Sequence, residues 1–197
     1  MSKKLFGKFF IFLLVVGLLF AAAPTKQAQA ATITVCNTGG PCDYTTIQAA
    51  INAATAGDTI TVAAGTYIED VVVNKAITLQ GAGMETTTIV ATTGNTNPLT
   101  FNTSNATVSG FHITHNYTPA ELDAWNFNNN GVTFYQNTTG NTLANCKVTK
   151  SRNGIYINNA RGNVLNRNTI ENNRTGINIT NYVDNTQILN NIIQRDR

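Results

Sequence analysis

The pattern of polar and apolar positions changes its period twice along the chain. Residues 32–35, Thr-Ile-Thr-Val, alternate with the two-residue period of a half-buried strand. Ile47, Ala50, Ile51 and Ala54 then recur at helical spacing, which predicts a short amphipathic helix capped by Asp43 or Thr45 and ended at Gly57-Asp58. Strand patterns resume at 59–62, followed by Gly65-Thr66-Tyr67, and then at 71–73 and 77–79; Gly81 and Gly83 mark the next turn. In the second half the pattern becomes a repeat. Asn130-Gly131-Val132, Asn153-Gly154-Ile155 and Thr175-Gly176-Ile177 open successive units, with their glycines 23 and 22 residues apart. A second strand recurs in each unit, at 143–148, 165–170 and 188–193. A period near 22 with two short strands per unit is what one coil of a stacked solenoid needs.

The repeat also predicts the core. Val132 and Phe134 align with Ile155 and Ile157, and these with Ile177 and Ile179. Leu143, Leu165 and Ile188 form a second column, and Val148, Ile170 and Ile193 a third. Cys146, Asn168 and Asn191 align at a turn, where stacked asparagines would satisfy backbone groups; a register one residue away would stack Asn145, Asn168 and Asn190 instead. The fold class expected is therefore all-β, a parallel solenoid with a short N-terminal helix.

The start of the chain follows different rules. Lys3, Lys4 and Lys8 precede an apolar run over residues 9–20, and Ala28-Gln29-Ala30 supplies small residues for a peptidase. Residues 1–30 are expected to be a secretory signal peptide, since the run is too short to span a bilayer. Residues 31–58 then hold the first strand and the helix, and residues 59–197 the coils. Four of the 13 basic residues precede Ala31, so the formal charge of +3 becomes −1 on cleavage. That balance excludes an electrostatic case for nucleic acid or an anionic membrane as partner. A secreted, surface-bound or periplasmic location agrees with the cysteines. Cys36 and Cys42 flank a short Gly-Pro loop and are expected to form a local disulfide, with no nearby histidine to favour a metal site; Cys146 reads as a small buried hydrophobe.

Three stretches carry a resemblance: TIQAAINAA from Thr46, GDTITVAAGTY from Gly57 and ITLQGAG from Ile77. Together they resemble the first coil of the pectin lyase-like proteins. That resemblance implies a right-handed parallel β-helix whose short helix closes the N-terminal end, as an open solenoid end requires. The later Asn-Gly-Ile units are similar to the short β-helix repeats of carbohydrate-interacting and periplasmic maturation proteins of the same superfamily. Lyases, esterases, hydrolases and non-enzymes share the fold, so function has to be read from sites.

Candidate chemistry is sparse. Uronate lyases need clustered carboxylates for Ca²⁺ and a basic residue, and hydrolases need two facing carboxylates. Glu69-Asp70, Glu171, Asp184 and Asp196 do not recur at the coil period and read as solvated turn residues; no resident cofactor is expected, apart from Ca²⁺ were the chain a lyase. The Gln-Asp pairs of pectin esterases do not occur. Between the halves, residues 116–129 form an insert in which Thr118-Pro119-Ala120-Glu121 reads as a capping box over a one- or two-turn helix. Tyr117, Glu121, Asp123, Trp125 and Phe127 within it are the candidate ligand-binding residues, because aromatic faces stack on sugar rings and carboxylates accept hydroxyl hydrogen bonds. His112 and His115, three apart on a strand, face opposite sides and make poor joint metal ligands. Arg161, Arg167 and Arg174 lie on consecutive turns and could line a groove for acidic sugars.

The sequence thus supports a secreted structural or carbohydrate-binding β-helix, whose partner would be a polysaccharide or cell-surface glycan. The alternative is the N-terminal part of a lyase or hydrolase acting on acidic polysaccharide such as pectin. Further coils are expected beyond Arg197, because the last strand pattern is followed by no cap.

Overall fold

A strand of three to six residues buries one face only when neighbours lie above and below it. In this chain the neighbour is the same segment one repeat later. The computed structural model describes residues 29–116 and 129–196. Strand β1 (Thr32–Val35) leads into helix α1 (Ile47–Ala53), and the coils follow. β2 (Thr59–Val62), β3 (Gly65–Ile68) and β4 (Val71–Val73) make one coil. The next coils are β5 (Thr78–Gly81), β6 (Thr87–Val90) and β7 (Leu99–Phe101), then β8 (Thr107–Ser109), β9 (His112–Thr114) and β10 (Asn130–Phe134). After them come β11 (Thr142–Ala144), β12 (Lys147–Thr149) and β13 (Asn153–Asn158), then β14 (Val164–Asn166), β15 (Thr169–Glu171) and β16 (Thr175–Thr180), and finally β17 (Gln187–Leu189) and β18 (Ile192–Gln194).

The strands stack into three parallel sheets. The first is β1-β2-β5-β8-β11-β14-β17, the second β3-β6-β9-β12-β15-β18 and the third β4-β7-β10-β13-β16. The fold is a right-handed parallel β-helix of about seven turns. Each coil has three strands, not two. Residues 143–148 bend at Asn145, whose φ of 50° breaks the strand into β11 and β12.

The aliphatic columns stand in register. Leu99, Val132, Ile155 and Ile177 pair in one file, and Phe101, Phe134, Ile157 and Ile179 in the next. The rings of Phe101 and Phe134 stack with centroids 4.6 Å apart. Leu143, Leu165, Val148 and Ile170 are fully buried. The columns lose their cover in the last coil, where Ile179, Ile188 and Ile193 are 45%, 42% and 51% exposed. The glycines that open the repeats have a packing reason: a Cβ on Gly131 would lie 2.7 Å from the Gly154 carbonyl oxygen, and one on Gly154 would lie 2.6 Å from that of Gly176.

Between sheets the backbone must turn inside a packed solenoid, leaving N–H and C=O groups that water cannot reach. From β11 onward the corners solve this alike. A residue in the left-handed region makes the turn, and the following side chain points inward to the coil before. At the first corner Asn145, Arg167 and Asn190 have φ of 50°, 57° and 55°. Cys146 N–H then donates to Asn168 Oδ1 at 3.0 Å, and Asn168 N–H to Asn191 Oδ1 at 2.8 Å. Asn168 Nδ2 also donates to the Leu143 carbonyl at 2.9 Å. This fixes the asparagine column as Cys146, Asn168 and Asn191. The second corner repeats the device with Ser151 N–H to Asn173 Oδ1, and the third with Ala106 N–H to Asn141 and Asn141 N–H to Asn163.

The N-terminal end is closed by α1, whose Ile47, Ala50 and Ile51 are fully buried. The capping residue is Thr46, one position beyond the expected Thr45. Its hydroxyl accepts from Ala49 N–H at 3.3 Å, and Glu69 meets the remaining donors by accepting from Ile47 and Gln48 N–H, both at 2.9 Å. Glu69 is therefore a cap from the coil below rather than a solvated turn residue. Asp70 is likewise committed, accepting from Thr92 N–H at 3.0 Å and Thr96 Oγ1 at 2.8 Å. Cys36 and Cys42 form a disulfide with Cα atoms 5.8 Å apart, beside β1.

Two stability effects follow. Asn168→Ala strands a buried N–H and a buried carbonyl and should cost about 2–4 kcal/mol, whereas Asn166→Ala, on the outer face of β14, should cost under about 0.5 kcal/mol, both read from chemical denaturation. Glu69→Ala removes two acceptors from α1 and should cost about 1–2 kcal/mol in the same assay.

Candidate functional site

On β10, β13 and β16 the residues that do not enter the core face outward in register. Asn130 pairs with Asn153 and Asn153 with Thr175; Thr133 pairs with Tyr156 and Tyr156 with Asn178. The side chains are tied along the solenoid axis. Asn153 Nδ2 donates to Asn130 Oδ1 at 2.8 Å, Asn178 Nδ2 to Asn153 Oδ1 at 3.3 Å, and Thr180 Oγ1 to the Tyr156 hydroxyl at 3.2 Å. Arg152 and Arg174 stand at the turn before these strands, one coil apart, because Arg174 N–H donates to the Ser151 carbonyl and Thr175 N–H to that of Arg152.

These groups surround a groove of about 380 Å³ on the outer face of the third sheet. Two guanidinium groups, a phenol, amides and hydroxyls line it, with no carboxylate among the described lining residues. At the far end of the same wall, Tyr135 and Tyr182 are 55% and 72% exposed. The arrangement offers a fork of donors for an anionic group, and polar and ring surfaces for hydroxylated ones. The expected candidates Tyr117, Glu121, Asp123, Trp125 and Phe127 lie outside the described residues, as does the short helix expected around them. The described root of that insert adjoins the groove: Asn129 Oδ1 accepts from Arg152 N–H at 3.2 Å, and Asn129 Nδ2 donates to the Gly94 carbonyl.

Of the three arginines singled out in the sequence, only Arg174 reaches the groove. Arg161 pairs with Asp184 at 3.6 Å on another corner, and Arg167 makes a left-handed turn. Arg152 was missed although it sits one coil period before Arg174, a spacing visible in the sequence.

The other titratable groups are engaged elsewhere. His112 Nε2 lies 2.9 Å from Thr149 Oγ1; His115 Nδ1 lies 3.0 Å from Ser151 Oγ and its Nε2 2.8 Å from the Thr96 carbonyl. Burial is the main cause that pushes both imidazoles below their ordinary range, towards the neutral form. The Cys146 thiol is fully buried and pushed up to about 12. Glu171 is not the solvated residue expected. It is 8% exposed on β15, accepts from Gln194 Nε2 at 2.9 Å and pairs with Lys147 at 3.2 Å, contacts that hold its carboxyl below the usual range. Among the described residues no group of three or more His, Cys, Asp or Glu side chains converges as a metal site would require.

Comparison with solved structures returns the same architecture. A pectin methylesterase in complex with a hexasaccharide superposes with a TM-score of 0.56 at 12% identity, over 82% of this chain and 67% of the esterase. Pectin methylesterase PemA from Erwinia chrysanthemi gives 0.53 at 12% identity, over 83% and 66%. ORF18 of Geobacillus virus E2 gives 0.53 at 18% identity, over 72% and 31%. The chain thus spans about two thirds of the esterases' length, and at these identities the likeness is one of fold. No curated protein matches at a significant level. The family profile described as periplasmic copper-binding protein (NosD) matches residues 51–196, every coil after the capping helix begins, and the chain belongs to the NosD family.

Proposed function

We propose that this chain is an extracytoplasmic polysaccharide-binding β-helix that holds an acidic glycan along the outer face of its third sheet. The observation that carries this reading is the groove itself. Arg152 and Arg174 stand one coil apart at its edge, and Tyr156 and the Asn130–Asn153–Asn178 file form its floor. Guanidinium groups bind carboxylates through charge-assisted, two-pronged hydrogen bonds, and amide files match sugar hydroxyls. The location rests on the family, which is named for the periplasm, and no described helix is long and apolar enough to cross a membrane. A structural neighbour, a pectin methylesterase, is known in complex with a hexasaccharide, which supports a sugar chain as the ligand class for this fold.

The lyase or hydrolase alternative receives no support from this groove, because a hydrolase needs two carboxylates facing the scissile bond. Copper, which the family's description names, does not fit the described residues either. Copper sites draw on imidazole and sulfur donors with free lone pairs. Here Cys36 and Cys42 are bridged, Cys146 is buried as a thiol, and His112 and His115 are engaged by Thr149, Ser151 and Thr96.

Binding of polygalacturonate and of a neutral glucan to the secreted protein, followed by calorimetry, tests the reading. The acidic polymer should bind and the neutral one bind at least tenfold more weakly, with affinity falling as salt rises. Arg152→Ala with Arg174→Ala should lower the acidic affinity by about 10–100-fold, corresponding to one or two charge-assisted contacts. Equal binding of both polymers, or no effect of the double substitution, overturns the proposal. In a separate titration, His112→Ala and His115→Ala should leave copper uptake unchanged; loss of a stoichiometric copper ion in either variant would show that these side chains are ligands after all.

A further inference from the structure

The second corner of the solenoid carries one rung that differs chemically from the others. Its file reads Ser151, Asn173, Asp196. Asn173 shows how a rung works: Oδ1 accepts from Ser151 N–H at 3.1 Å, while Nδ2 donates to the Val148 carbonyl at 3.1 Å and to the Glu171 carbonyl at 3.2 Å. Asp196 repeats the first half, since its Oδ1 accepts from Asn173 N–H at 2.8 Å. The second half cannot be repeated by a carboxylate. Oδ2 takes the place of the amide nitrogen, is buried, and has no hydrogen-bond partner among the described residues. The carbonyls equivalent by register to the two that Asn173 serves are those of Ile170, which pairs with Val148, and of Gln194, two residues before Asp196. The carboxyl also packs on the groove strand, since a Cβ on Gly176 would lie 2.5 Å from Asp196 Oδ2.

We propose that Asp196 is a pH-sensitive latch on the coil formed by β16, β17 and β18: as the neutral acid it donates through Oδ2 and completes the corner, and as the carboxylate it leaves the corner open. A protonated Asp196 has the donor that Asn173 has, one O–H in place of one N–H. An ionised Asp196 turns a bare oxygen towards acceptors, which a buried site penalises. Among the described residues few charged groups surround it. Glu171 on β15 is the facing acid, with its charge paired to Lys147 at 3.2 Å and Arg195 at 3.9 Å; Arg195 is the flanking residue on the same segment. Burial, as the larger cause, and the Glu171 carboxylate both push Asp196 above the usual carboxylate range, against the opposing pull of the Asn173 hydrogen bonds. With the folded pKa above the unfolded one, the latch stabilises fully below about pH 4 and is lost as pH rises through the folded value.

The test compares the secreted protein with Asp196→Asn, in which the amide donates at every pH. Amide hydrogen exchange in β17 and β18, corrected for the intrinsic pH dependence, reads opening of the coil. In the parent protein, exchange should accelerate between pH 4 and pH 7, by about tenfold for every unit by which folding raises the pKa. In Asp196→Asn it should stay flat, and the variant should be the better protected at pH 7 and equal at pH 4. Asp196→Ala should be poorly protected at both. A parent profile without pH dependence, or an Asp196→Asn variant less protected than the parent at pH 7, overturns the latch.

Discussion

Everything else in this molecule depends on satisfying backbone groups at the corners. A solenoid turn bends a chain inside a packed column, with no water and no helix or sheet to take its amides. Asn168 illustrates the solution: one amide side chain serves an N–H below it and a carbonyl beside it. Because the same device recurs at all three corners, the sheets between need only be three residues long in places, and their outer faces are released from structural duty. The device is incomplete at Asn163, whose Nδ2 is buried with no hydrogen-bond partner among the described residues.

The outer faces are where sequence can vary, and the third sheet has used that freedom for a polar groove. Its two arginines are placed by corner geometry rather than by strand alternation, and its amide file is aligned by the parallel register. Rigidity of the wall comes from the buried Phe101–Phe134 stack and its aliphatic continuation directly behind it. A wall of this kind holds its polar groups in place before a ligand arrives, so little ordering entropy remains to be lost on binding.

The fold was legible because its signals are local or periodic. Residues 46–67 announce the cap and first coil, and the 22- to 23-residue spacing of Gly131, Gly154 and Gly176 sets the register of the later ones. The strand break at Asn145 was not legible, since a non-glycine residue with positive φ looks like any other polar position until its neighbour is seen to point inward. The coils between residues 84 and 116 carry no Asn-Gly signature and were passed over. Acidic residues were misread for a related reason. Glu69 and Glu171 look like solvent-facing turn residues in one dimension, and their partners, the N-terminus of α1 and Lys147, come from segments 21 to 24 residues away. The groove followed the same rule: Arg174 was found and Arg152 was not, because proximity along the chain was read where distance along the solenoid was needed.

The ladder has a direction. Along the asparagine files the inward side chain belongs to the later coil and serves the backbone of the earlier one, whereas Asp70 and Asn129 serve later segments. A chain delivered N-terminus first therefore cannot finish a corner when that corner's own residues arrive; it must wait for one more circuit. Assembly lags synthesis by about a full coil, and the advancing front always holds amides that only the next segment can answer. The helix-capped end obeys the same order, since Ile47 and Gln48 N–H wait for the Glu69 carboxylate, 22 and 21 residues later. Along these files the molecule is thus built like a ratchet, each rung completed by its successor.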